Sequence, residues 1–367
     1  VTADMPDTIP VTLLTGFLGS GKTTLLNQLV CQPELADALV IINEFGEAAL
    51  DHMLVAHSTE NLVMEMSSGC VCCSIRGDLV KTLRDITWRF SRKGQRQFRR
   101  VLIETTGLAD PAPIIHTLMT DPQVAPRYRL DGIVVTLDLA TGMHTLDHHP
   151  EAVKQAAMAD TLLLTKPDLA TEEQLEVLHQ RLDNINPAAP RWKVSQGEIT
   201  ADKLLNLGLF STANKTNDVA RWLKEEAYAP DALRPVAPVH GGGQAGFSMR
   251  PKTPEFGHQI LHDINRHDDH IRAYCFAVDT PIPEETLMTW LEVLMSFVGS
   301  QILRVKGILN VEGNSKPIVI QGVQHIFHPP VTLPAWPSDD RRSRLVFITQ
   351  DVEKDVIENI FNALRKA

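Results

Sequence analysis

Between about residues 9 and 210, short runs that are apolar at nearly every position alternate with longer stretches whose apolar residues recur every three or four positions. Uninterrupted apolar runs of this length predict strands covered on both faces, and the three-to-four spacing predicts helices laid over them. The expected strands are "IPVTLL", "ALVIIN", "NLVMEM", "RRVLIE", "DGIVVTLD", "TLLLTK" and "RWKVS". Helices are expected in "KTTLLNQLV", "DLVKTLRDITWRF" and "EEQLEVLHQRLDNI". Strand and helix in regular alternation describe an α/β unit with a mostly parallel sheet.

The pattern breaks at residues 228–257, "YAPDALRPVAPVHGGGQAGFSMRPKTPEFG", which is crowded with Pro and Gly and holds no apolar period. It restarts with "RAYCFAVD", a helix in "EETLMTWLEVLMSF", strands in "ILRVKGILNV", "PIVIQGV" and "RLVFIT", and a closing amphipathic helix "DVEKDVIENIFNALRKA". The turn "EGNSK" predicts a hairpin. The expected organisation is a tail at 1–8, an α/β domain at 9–212, a linker at 213–267 and a smaller α+β domain at 268–367.

A length of 367 residues and 43% hydrophobic content supply two cores. The balance of 35 basic and 45 acidic side chains, a net charge of −10, opposes non-specific attraction to nucleic acid and to anionic membranes. No apolar run reaches membrane-spanning length, and "VTADMPDTIP" has neither a basic nor an apolar leader region. A cytoplasmic protein is expected, in which clustered thiols point to metal or redox chemistry rather than a disulfide framework.

Three segments carry nucleotide chemistry. "GFLGSGKT", Gly16 to Thr23, fits G-x-x-x-x-G-K-T between an expected strand and helix, the context a P-loop requires. Backbone N–H groups of Gly16, Gly19, Ser20, Gly21 and Thr24 can face phosphate oxygens; Lys22 can bridge the β- and γ-phosphates, and Thr23 can hold Mg²⁺. In "RRVLIETTG" a strand runs into Glu104 and Gly107, the place of a Walker B acid and its γ-phosphate glycine, although Asp is commoner there. "LLLTKPD" places Lys166 and Asp168 after another strand. A carboxylate accepts two hydrogen bonds at once, which guanine can donate and adenine cannot, so GTP is expected rather than ATP. Ser195, in "KVSQG", is a further candidate for the base pocket, with a plain turn as the alternative. No glutamine or arginine declares itself as the residue that orients attacking water, so slow intrinsic hydrolysis to GDP is expected.

"GCVCC" brings Cys70, Cys72 and Cys73 together between the P-loop and Glu104, downstream of "INEFGE". Three thiolates suit Zn²⁺ or another borderline ion and leave one position for Glu47, water or a partner's ligand. Small buried thiols or half of a redox pair are the alternatives. Cys31 and Cys275 are expected in the core.

Together "TLLTGFLGSGKTTLLN", "INEFGE", "GCVCC", "ETTGLADPAPI", "TKPD", "LRVKGIL", "GVQH" and "RLVFI" resemble the CobW-type GTPases, relatives of UreG and HypB. The resemblance implies a GTPase that delivers Zn²⁺ or Co²⁺ to a client metalloprotein, with Cys70, Cys72 and Cys73 as metal ligands, Glu104 serving Mg²⁺, and Lys166 with Asp168 selecting guanine. A dedicated activator of one metalloenzyme and a metal-independent regulatory GTPase are the other readings; a homodimer is left open. Unlike some relatives, the chain has no long histidine tract. His258, His262, His267 and His270, and His144, His148 and His149, are read as solvated residues, though pairs at helical spacing could collect a metal. His116 and His325 are read as structural. The basic run Arg89 to Arg100 is read as a solvated helix end and loop.

Overall fold

The computed structural model describes residues 8–43, 62–65, 73–93, 95–207 and 270–366. All seven strands expected in the first part form one parallel sheet. They are β1 (Ile9–Gly16), β2 (Ala38–Asn43), β3 (Leu62–Glu65), β6 (Arg100–Thr105), β7 (Tyr128–Asp138), β8 (Thr161–Thr165) and β9 (Arg191–Val194), in the order β3-β2-β6-β1-β7-β8-β9. Between β3 and β6, the basic run closes α2 (Cys73–Arg89) and makes a small hairpin of β4 (Ser91–Arg92) and β5 (Gln95–Arg96) before Phe98 enters the core.

Helices cover both faces, which is why the strands read as continuous apolar runs. On one face lie α2, α3 (Ala112–Thr120), α4 (Gly142–His148), α5 (Pro150–Met158) and α6 (Glu172–Ile185), packed on Val11, Leu13, Ile103, Val135 and Leu164. The other face carries α1 (Lys22–Leu29) and the segment through Leu204, against Leu14, Val40, Leu102 and Leu163. The stretch read as a helix at "EEQLEVLHQRLDNI" is α6, and its start is held by a capping box between Thr171 and Gln174.

A second sheet contains β10 (Ile271–Val278), β11 (Ile302–Leu309), β12 (Ile318–Val323), β13 (Ile326–Phe327), β14 (Val331–Thr332) and β15 (Ser343–Gln350). Its pairings are antiparallel, and the expected "EGNSK" turn joins β11 to β12. One face packs on α7 (Glu284–Val298) and α8 (Lys354–Lys366), where Phe276, Trp290, Phe347 and Phe361 meet at ring-centroid distances of 5.1 to 6.2 Å. Its opposite face, through Leu303, Val323 and Ile348, enters the core of the parallel-sheet unit.

Two cysteine expectations separate here. Cys31 is exposed rather than in the core, because Leu25, Leu26, Leu29 and Val30 already fill the inner side of α1 and the chain turns immediately after them. Cys275 is half-buried, on the opposite face of β10 from Tyr274 and Phe276.

The two units are also tied by charge. Asp160, between α5 and β8, accepts from the Ile133 backbone and pairs with Arg304 and with Lys306, the latter at 2.8 Å, both on β11. Burial alone would raise the Asp160 carboxyl, but Arg304 and Lys306 outweigh it and hold it at about 2. His328 is buried beside Arg304, and burial first, then that guanidinium, lower it to about 4. The imidazole is therefore neutral in the folded protein at pH 7.

Removing one partner of a buried pair strands the other, at a cost of about 3–5 kcal/mol. Arg304→Met should lower the unfolding free energy by about 3 kcal/mol in denaturant titrations. Both shifts are depressions, so their stabilisation is present at neutral pH and is lost on acidification. For His328 the loss runs from its ordinary range, about 6.5, down to about 4, and for Asp160 from about 4 down to about 2. Melting temperature should fall between pH 6.5 and 4, and less steeply in His328→Gln.

Candidate nucleotide and metal site

Four neighbouring strands carry a threonine at or near their carboxyl ends. Thr105 on β6, Thr15 on β1, Thr136 on β7 and Thr165 on β8 are all buried beneath the P-loop. The Thr105 hydroxyl donates to Thr15 Oγ1 at 2.7 Å, and Thr136 Oγ1 lies 2.7 Å from Ser20 Oγ. Thr165 Oγ1 donates to the Ser20 carbonyl at 2.8 Å. The loop between β1 and α1 is thus fastened through Ser20 to β7 and β8, and the end of β1 itself is tied to β6.

Above this hydroxyl layer the backbone curls tightly. Gly16 has φ +141°, and a Cβ there would sit 2.3 Å from Thr136 Oγ1. Gly21, at φ +90°, precedes the first turn of α1, so the N–H groups of that turn open toward the loop. Lys22 folds back over the loop and donates to the carbonyls of Gly16 at 2.9 Å and Phe17 at 3.1 Å. Thr23 is half-buried and Thr24 exposed in the same turn.

Glu104 lies on β6 beside Leu14 of β1, buried at 2% exposure, which brings it to the P-loop edge of the sheet. After it, Gly107 is pressed against the P-loop: a Cβ there would fall 2.5 Å from the Leu18 nitrogen. A buried carboxylate and a helix-N-terminal hydroxyl at one strand crossover are a donor set that fits Mg²⁺, a hard cation taking oxygen ligands. At the far side Lys166 has φ +55° and its ammonium pairs with Asp138 Oδ2 at 2.7 Å, while Asp168 is exposed in the one-turn helix that follows. Ser195 begins a bridge to Glu198, and this loop abuts α1, since a Cβ on Gly197 would meet the Thr24 carbonyl at 2.8 Å.

The structure therefore brings Gly16, Gly19, Ser20, Gly21, Lys22, Thr23, Thr24, Glu104 and Gly107 to one edge of the sheet, with the Lys166–Asp168 and Ser195 loops on the same carboxyl edge. Cys70, Cys72 and Glu47 lie outside the described residues; Cys73 opens α2. Among the described residues no group of three or more His, Cys, Asp or Glu could hold a metal ion, and no helix is long and apolar enough to cross a membrane.

Three contacts were not legible as site features. His149 was read as solvated, but its ring stacks on Phe17 of the P-loop at 4.2 Å between centroids. Asp138, the partner of Lys166, and Gln155, buried on α5 and bonded to the loop after Glu104, are the others. The signal for Gln155 was an amide that, with Lys154, interrupts the mostly small and apolar run "AVKQAAMA". His144 and His148 lie exposed on α4, with rings stacked at 4.2 Å. His116 bonds Thr120 and its ring meets that of His325 at 5.5 Å, as structural histidines do. His270 pairs with Asp351, while His258, His262 and His267 are outside the described residues.

The sequence profile of the CobW/HypB/UreG nucleotide-binding domain matches residues 10–193, and that of the cobalamin synthesis protein cobW C-terminal domain matches 271–365. The chain belongs to the CobW/HypB/UreG family. It is 32% identical to the zinc chaperone YjiA of Escherichia coli over 98% of this chain and 99% of that one. It is 28% identical to the zinc-regulated GTPase metalloprotein activator 1 of Schizosaccharomyces pombe, over 88% of this chain and 76% of the relative. The crystal structure of Zn(II)-bound YjiA GTPase from E. coli superposes with a TM-score of 0.65 at 26% identity, covering 98% of this chain and 99% of that chain.

Gly107 tests the contact between the P-loop and the loop after Glu104. In Gly107→Ala the new methyl must displace the Leu18 backbone, so affinity for a GTP analogue, measured by fluorescence titration, should fall about tenfold or more, equal to about 1.4 kcal/mol.

Proposed function

We propose that the protein is a GTPase that carries a transition metal ion, zinc by preference, and that its nucleotide cycle controls release of that ion to a client protein. The observation that carries this reading is a complete P-loop, fastened under Ser20 and closed by Lys22, in a chain whose "GCVCC" cluster runs directly into α2. The names of its relatives, a zinc chaperone and a GTPase metalloprotein activator, support it.

In this reading Lys22 exchanges its two loop carbonyls for β- and γ-phosphate oxygens, so no rearrangement of the main chain is needed to receive the nucleotide. Thr23 and Glu104 hold Mg²⁺, which neutralises phosphate charge when bound. Asp168 accepts from guanine, and the Asp138 ion pair holds the Lys166 stem alongside. Ser195 borders the base pocket. Cys70, Cys72 and Cys73 bind the cargo as thiolates, with Glu47 or a ligand from the client completing the shell. An incomplete protein shell favours a site that must give up its metal. Co²⁺ is the second candidate cargo, since thiolate sites accept both ions.

Coupling must be reciprocal: if the metal alters GTP affinity, GTP alters metal affinity by the same factor. Zn²⁺ and Co²⁺ affinities, measured by chelator competition with Mg²⁺ and either a non-hydrolysable GTP analogue or GDP, should differ by about fivefold or more between the two nucleotides. Both should collapse in Cys72→Ser. Equal affinities in the two states would remove the coupling, and unchanged binding in the variant would move the metal site elsewhere.

A further inference from the structure

We infer that Gln155 is a positioning residue for the nucleotide reaction, holding the loop after Glu104 in the orientation that distinguishes GTP from GDP. Its side chain is 1% exposed on α5, and its Nε2 donates to the carbonyls of Gly107 at 3.2 Å and Ala109 at 2.9 Å. A trans peptide points its C=O and the following N–H in opposite directions. Holding these two carbonyls therefore also aims the N–H groups of Leu108 and Asp110. The neighbouring Lys154 takes the same loop by its side chain, pairing with Asp110 Oδ2 at 2.5 Å, while Asp110 Oδ1 accepts from the first turn of α3.

The placement is costly for any purely packing role. Gln155 Oε1 is buried and accepts no hydrogen bond among the described residues, and Ala152, Val153, Ala156 and Ala157 around it are apolar core. As a packing group alone an amide with its oxygen unused is costly, and its two donated bonds to loop carbonyls are what offset that cost. What it contributes is control of a loop whose Gly107 lies against Leu18 of the P-loop. The same helix touches the nucleotide loop a second time, where His149 at its start stacks on Phe17. Two residues past its end, Asp160 binds Arg304 and Lys306 of the second sheet. One short rigid element thus spans both phosphate-facing loops and the anchor of the carboxy-terminal unit.

The inference rests on the GTPase reading, and the experiment separates the two. Steady-state GTP hydrolysis, and affinities for GDP and for a non-hydrolysable GTP analogue, are measured on the full chain, on Gln155→Met, which keeps length without a donor, and on Gln155→Glu, which reverses donor to acceptor. Both variants are expected to keep GDP affinity within about twofold and to lose about tenfold or more in kcat and in the preference for the GTP analogue over GDP, the scale seen when one positioned hydrogen bond is removed. Melting temperature should fall modestly in Gln155→Met, which leaves the Gly107 and Ala109 carbonyls without their donor, whereas a purely structural role would weaken both nucleotides alike. That pattern, or wild-type kcat and nucleotide preference in Gln155→Met, overturns the inference while leaving the GTPase intact. Absence of GTP hydrolysis in the wild-type chain overturns the GTPase reading itself, and this inference with it.

Discussion

The nucleotide edge of this protein rests on a row of buried hydroxyls. Thr105, Thr15, Thr136 and Thr165 lie at or near the carboxyl ends of four neighbouring strands, and through Thr136, Thr165 and Ser20 the P-loop is bonded to β7 and β8. A threonine suits this place because its methyl packs with the apolar strand below while its hydroxyl satisfies loop groups that would otherwise be buried without partners. Each bond is worth about 1 kcal/mol, yet their joint effect is geometric. They hold the curled backbone in its binding shape before any ligand arrives, so little ordering cost is left for binding.

From that edge, α5 carries the arrangement to the rest of the molecule. Its residues meet the loop after Glu104 through Lys154 and Gln155, and its packing partner β11 supplies the two cations that hold Asp160. The carboxy-terminal sheet is sandwiched, with α7 and α8 behind it and the helix layer of the first unit before it. A sheet covered on both sides cannot shift freely, and motion in the helix layer must be shared with it. That continuity joins the P-loop edge of one unit to the sheet of the other.

Charge is used sparingly but at decisive points. The chain is acidic overall, yet two of its buried carboxylates are matched by cations, Asp160 with Arg304 and Lys306, and Asp131 with Arg100 at 2.5 Å. Lys166, just after β8, is similarly held by Asp138. Such pairs specify one packing rather than add much net stability, because desolvation offsets most of their attraction. Their partners come from distant parts of the chain, which makes them fasteners of tertiary structure.

Local patterning determined a great deal. The seven strands of the parallel sheet were visible as apolar runs because a strand covered on both faces must be apolar throughout, and α6 was visible from its three-to-four apolar spacing. The P-loop, Glu104 and the Lys166–Asp168 segment were legible because each needs fixed residue types at short spacing, next to a strand end. Tertiary structure alone decided the rest. No local rule says that His149 leaves solvent to stack on Phe17, that Cys31 faces outward, or that Gln155 reaches back 48 residues to the Gly107 carbonyl. Those outcomes depend on which elements become neighbours across the helix layer. A side chain's partner is set by where the chain returns in space, and the spacing of residues along one segment carries no record of that return.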